Sequence, residues 1–196
     1  LSIRRQRQMC IRDSITPAVP TSGLFMHTLA DLTGGVTIAS NFLGGAYLYA
    51  GTPIGKGSDG CYEVEKIAYT LYVTPTASKE LKVAKGHHFL AGDYIAADIA
   101  DGQRIAAVNK EHAEYDTLTL EQAFAVDIPK DTPLFASEGH NKIPKVAPVA
   151  LIAHTTLVPR EGDLYCAAWL IGVVKEERSQ PIAKTLREQL KLISFI

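Results

Sequence analysis

From Ile15 onward, Gly, Pro, Asn and Asp interrupt the chain every few residues, and the runs between them are short and rich in Val, Ile, Tyr, Thr and Leu. Few architectures survive that constraint. Residues that supply positive φ or remove a backbone donor at such intervals leave little room for long helices, while β-branched and aromatic side chains pack well on a pleated surface. The fold class expected is mainly β. VTIAS, AYLYAGTPIGK and CYEVEKIAYTLYV read as strands, with a tight hairpin at Ser58-Asp59-Gly60. Thr74-Pro75-Thr76-Ala77-Ser78 breaks the composition. ELKVAKG, DYIAADI, RIAAVNK, DTLTLEQAF and DTPLFAS then follow as five strands at the spacing of a small barrel over 74–138. VAPVALIAHTTLV and LYCAAWLIGVV are apolar on consecutive positions, as expected of core strands buried on both faces. Beyond Ser179 and Pro181, the recurrence of Ile182, Leu186, Leu190 and Ile193 predicts one C-terminal amphipathic helix over 179–196.

The 20 Lys and Arg nearly balance the 21 Asp and Glu, so the chain lacks the basic excess that binding a phosphate backbone requires, and nucleic acid is not an expected partner. Its longest nearly apolar stretch, Leu164 to Val174, falls short of the roughly 20 residues of a membrane-spanning helix. Four of the basic residues and one acidic residue lie in the first fourteen, LSIRRQRQMCIRDS, and the remainder carries a net charge of −4. That segment lacks the apolar core of a secretory signal and is similar to translated read-through of a sequencing adapter, so 1–14 is read as non-native and set apart from the fold. The competing reading is a basic arm that touches an acidic surface. Residues 15–25, with Pro17 and Pro20, read as an extended arm.

The local motifs carry little chemistry. GTPIGKG at 51–57 has three residues, not four, between the first Gly and Gly-Lys, no Ser or Thr after the Lys, and no helix to follow, so it is not a phosphate-binding loop. His87 and His88 are adjacent and would point to opposite faces of a strand, and the other His residues form no ligand pattern, so no metal is expected. No nucleophile motif is present, and Asp93, Asp98, Asp101 and Asp116 sit in or beside turns, where carboxylates cap backbone. Cys61 and Cys166 lack metal or redox spacing, and Trp169 reads as a core residue. The chain is therefore expected to be no enzyme and to need no cofactor.

AGTPIGKGSDGCYEV resembles the strand-hairpin segment of tailed-phage head decoration proteins, and APVALIAHTTLVPREGDLYCAAWLIGVVKEERSQPI is similar to that family's closing pattern. About seventy residues stand between them, in which KGHHFLAGDYI and AAVNKEHAEYDTLTL resemble the small barrel of phage head fibre proteins. The resemblance implies a decoration-type β domain, 21–72 plus 140–178, interrupted by an inserted small β-barrel. It implies a virion structural protein on the capsid exterior, made in the bacterial host cytoplasm, with the major capsid protein as partner. It also implies a homotrimer, to which the apolar ending adds Leu192, Ile193, Phe195 and Ile196 as an oligomer interface. Carried onto this chain, capsid docking falls on Pro17, Val19, Pro20, Leu24 and Phe25. A second class also matches the residues: a β-rich glycan- or protein-binding module, for which exposed Tyr47, Tyr49, Tyr69 and Tyr72 would be the sign and a host-surface glycan a partner.

Overall fold

A computed structural model describes residues 23–57 and 60–196, and the protein is mainly β, with 43% of residues in strands and 6% in helices. The first strands are β1 (Phe25–Asp31), β2 (Val36–Ile38), β3 (Tyr47–Leu48), β4 (Pro53–Lys56) and β5 (Tyr62–Val64). β6 (Ile67–Tyr69), β7 (Glu80–Ala84), β8 (Tyr94–Ala97), β9 (Ala100–Asn109), β10 (Tyr115–Leu120) and β11 (Pro133–Ser137) follow. The last elements are β12 (Ala150–Ile152), β13 (Thr156–Leu157), β14 (Leu164–Cys166), β15 (Ala168–Val174), one helical turn α1 (Lys184–Arg187) and β16 (Ile193–Phe195).

Two curled sheets result, and β3 and β13 pair antiparallel as a separate two-stranded sheet. In the first the order is β1-β15-β12-β4-β5-β2-β14, with β16 parallel to β15. β4 and β5 pair antiparallel from Ile54 and Val64 out to Lys56 and Tyr62, while Ser58 and Asp59 of the expected hairpin tip lie outside the described residues. The second sheet runs β6-β11-β8-β9-β10-β7, and it curls until Thr70, just past β6, bridges Val83 of β7.

The five strands read between Glu80 and Ser137 are all present, and the sheet gains a sixth: Ile67–Tyr69, expected with the first unit, pairs with β11. Thr74 exchanges both backbone hydrogen bonds with Ile128 in an isolated bridge, so the Thr-Pro-Thr-Ala-Ser segment is a turn tied to the loop between β10 and β11. The chain crosses between sheets earlier, at Glu65–Lys66.

Strand alternation explains how three cores coexist. Ile95 and Ala97 point into the second sheet with Leu81, Val83, Phe89 and Leu118, whereas Ala96 between them faces outward. Ala150 and Ile152 likewise line the inside of the first sheet, and Leu151 points the other way. The outward residues meet in a middle core, where Ile67, Ala96 and Phe135 of one sheet face Leu24, Leu151 and Val174 of the other, with Ile182, Leu186, Leu190 and Ile193 among them.

The C-terminal segment therefore corrects the expectation of a helix over 179–196. Its apolar residues are buried at the spacing read from the sequence, but only Lys184–Arg187 is helical, opened by Asp98, which accepts hydrogen bonds from Lys184 N, Thr185 N and Thr185 Oγ. Ile193–Phe195 extend instead, because β15 offers a free ladder at Gly172–Val174. The LYCAAWLIGVV run is also corrected. It bends at Ala167 into two strands, and Tyr165 is exposed, so it is not buried on both faces throughout.

Candidate functional site

The residues proposed for capsid docking divide. Pro17, Val19 and Pro20 lie outside the described residues. Leu24 is 1% exposed in the middle core, and Phe25 is half-buried, its ring 6.3 Å from that of Trp169. Leu24 is thus a core residue, because β1 pairs along the length of β15 and turns it inward. The exposed apolar residues of this strand are its neighbours Met26 and Leu29, which the sequence reading missed. Of the four residues proposed as an oligomer interface, Ile193 is buried within the chain and Phe195 is half-buried under the Arg187 guanidinium, while Leu192 and Ile196 stay open. Met26 and Ile196 line one mostly apolar groove with Lys175, Glu176 and Glu177.

A polar seam joins the two sheets where the chain crosses. Glu65 and Lys66, at the outbound crossing, are 0% and 4% exposed. The return path lies alongside: Val146 N donates to Glu65 Oε2 at 2.8 Å, Ala136 N to Lys66 O, and Lys145 N to Ala136 O. Lys66 Nζ is 2.5 Å from Asp93 Oδ2, and Lys145 Nζ reaches the other oxygen of the same carboxylate at 3.6 Å. Burial pushes the Glu65 carboxyl well above its ordinary range, and burial lowers Lys66 against the pull of Asp93. The sequence signal was present: in CYEVEKIAY two consecutive charges interrupt the alternation between apolar strands, so one must point inward.

His87 and His88 continue the seam. Each Nδ1 accepts a backbone N–H at 3.2 Å, from Phe89 and Gly45 respectively, and both side chains are sealed from water. His87 Nε2 stands 3.2 Å from Asp116 Oδ2 but off hydrogen-bond alignment, while the other oxygen of Asp116 takes Lys85 Nζ at 2.7 Å. Asp116 therefore lies buried on a strand, not in the capping role expected of it. Desolvation draws both imidazoles down to about 4, so they are neutral structural acceptors at pH 7. A Cβ on Gly45 would meet His88 Cε1 at 2.9 Å, which shows how closely the GHHF segment seats on the first sheet's loop.

Two concave surfaces open to solvent beyond the seam. A groove of about 1150 Å³ runs between Ser40–Ala46 and Leu157–Asp163. On the second sheet, Tyr72 and Tyr115 meet edge to face at 5.8 Å beside Lys82. Of the tyrosines singled out in the sequence, Tyr72 is exposed and Tyr47, Tyr49 and Tyr69 are half-buried, Tyr47 and Tyr49 lying against each other. Among the described residues no group of three or more His, Cys, Asp or Glu is placed to hold a metal ion. Cys61 and Cys166 are free thiols, Cys166 pushed up to about 11 by burial. Comparison with protein families, with characterised proteins and with solved structures finds no match to this chain.

Proposed function

We propose that this chain is a non-catalytic structural protein on the outside of a tailed-phage capsid, a head fibre or decoration protein, working as a homotrimer on the major capsid protein. The observation that carries the reading is the passage of one chain out of the first sheet at Glu65–Lys66 and back at Lys145–Val146, with the two crossings hydrogen-bonded side by side. On this reading the first sheet is the decoration-type domain, the second is the inserted small barrel, and the seam holds the two at a fixed angle. Support for a docking face comes from Met26, Leu29, Leu192 and Ile196, each more than half exposed at 54%, 69%, 61% and 63%. Large apolar side chains left in water favour a partner that covers them.

The test mixes protein lacking residues 1–14 with shells assembled from the major capsid protein encoded beside its gene, and pellets the shells. Saturable co-sedimentation, with a trimer by light scattering, is expected. Intact shells that pellet without it would reject the capsid role, and a monomer at tens of micromolar would reject the trimer.

A further inference from the structure

We propose that the outer face of the second sheet carries a carbohydrate-binding subsite, formed by Tyr72, Lys82, Glu80 and Tyr115, that takes an uncharged pyranose ring. The strands dictate which side chains meet there. Leu81 and Val83 of β7 and Leu118 of β10 fill the interior, so alternation sends Glu80, Lys82, Tyr115 and Thr117 to the water side. The register pairs Thr117 with Lys82 and Tyr115 with Ala84, which sets Lys82 diagonally beside Tyr115. Leu71 N donates to Lys82 O, and this bond brings Tyr72 to the other flank of Lys82.

The cluster is assembled from contacts within the chain. His112 stacks on Tyr115 at 3.7 Å, Tyr115 meets the Tyr72 ring edge to face, and Lys82 Nζ lies 5.4 and 5.1 Å from the two ring centroids. Tyr72 nevertheless remains 49% exposed and Val73 61%. Among the described residues neither Glu80 nor Lys82 belongs to an ion pair, so a carboxylate stands free beside an exposed ring and the ammonium is held only by the two ring faces. Both border a groove of about 270 Å³ with Tyr72 and Pro75, large enough for a single sugar ring.

That set of groups matches a pyranose chemically. The apolar C–H face of the sugar covers Tyr72, its hydroxyls donate to Glu80, and a hydroxyl oxygen accepts from Lys82. The opposite charges are two residues apart on one strand, so an anionic sugar loses to Glu80 what it gains from Lys82. An uncharged ring satisfies both.

Saturation-transfer difference NMR tests the site with the methyl glycosides of glucose, galactose and mannose, and with methyl glucuronide as the anionic comparison, each at about 10 mM, a range that detects millimolar affinity. Transfer to the ring protons of at least one neutral glycoside is expected, with amide shifts confined to 72–82 and 112–117. Tyr72→Ala and Lys82→Met are each expected to weaken it about tenfold, while a cooperative thermal transition shows each variant still folded, since both side chains lie on the water side. No transfer from any neutral glycoside, equal transfer from both variants, or preference for the glucuronide would each overturn the proposal. The measurement needs no capsid, so its failure leaves the shell-binding reading standing.

Discussion

Acid should loosen this protein through His87 and His88 before it reaches the surface carboxylates. An unfolded imidazole takes its proton near 6.5, whereas these two, desolvated in the seam, wait until about 4. Between those values the unfolded chain binds more protons than the folded one, so stability falls as pH drops through the window and levels off below it. Converted at about 1.4 kcal/mol per pH unit, the distance from 6.5 to 4 is about 3 kcal/mol for each ring. For His87 that value already includes the pull of Asp116 Oδ2 at 3.2 Å, set against the repulsion of Lys110 and Lys85. Glu65 works in the opposite sense: its raised carboxyl makes folding less favourable as pH climbs above about 4.5, so acidification relieves that burden and flattens the net curve. The assay is urea unfolding followed by Trp169 fluorescence from pH 7 to pH 4.5, in the wild type and in His87→Asn/His88→Asn. Asn keeps an acceptor for the Phe89 and Gly45 N–H groups but does not titrate. The double variant should be less stable at pH 7 and should lose the acid-side decline. An unchanged pH slope would refute the assignment of acid sensitivity to these rings.

Glu65→Gln keeps the acceptor for Val146 N and removes the titrating group, so it should raise stability at pH 7 and have little effect below pH 4.5, as urea midpoints will show. Leu24→Ala should destabilise by about 2–5 kcal/mol, because the side chain is core, whereas Met26→Ala should stay within about 0.5 kcal/mol in the same thermal melts. Gly102→Ala would place a Cβ 2.0 Å from Gly139 O and 2.2 Å from Ser137 Oγ, and the displacement of that loop should lower stability by about 1–3 kcal/mol by calorimetry.

Local patterning made part of this architecture legible in advance. DTLTL alternates cleanly, with Asp116, Leu118 and Leu120 turned inward, and turn residues bracketed each strand of the second sheet. Long-range pairing was not legible. Ile67–Tyr69 looks like the end of a strand that began at Cys61, and only the presence of β11 as a partner assigns it to the other sheet. The C-terminal apolar residues gave a helical period that burial satisfies, yet tertiary context overrode propensity once β15 supplied a ladder for Ile193–Phe195. Prolines in the arm drew attention to Leu24 and Phe25, but whether a strand shows its odd or even positions to water depends on its register, and bulges in β1 shift that register three times. The Tyr72–Tyr115 cluster was half visible, since Tyr72 stood out and its partner lies forty-three positions away on another strand.

On the proposed reading, β1 and the C-terminal strand face the shell and the second sheet faces a ligand. Hydrogen exchange with and without assembled shells reads both at once. Slowed exchange at 25–31 and 192–196, with 72–82 and 112–117 unaltered, is the predicted footprint. Protection of the Tyr72 and Tyr115 segments, with β1 exchanging as in the free protein, would contradict it.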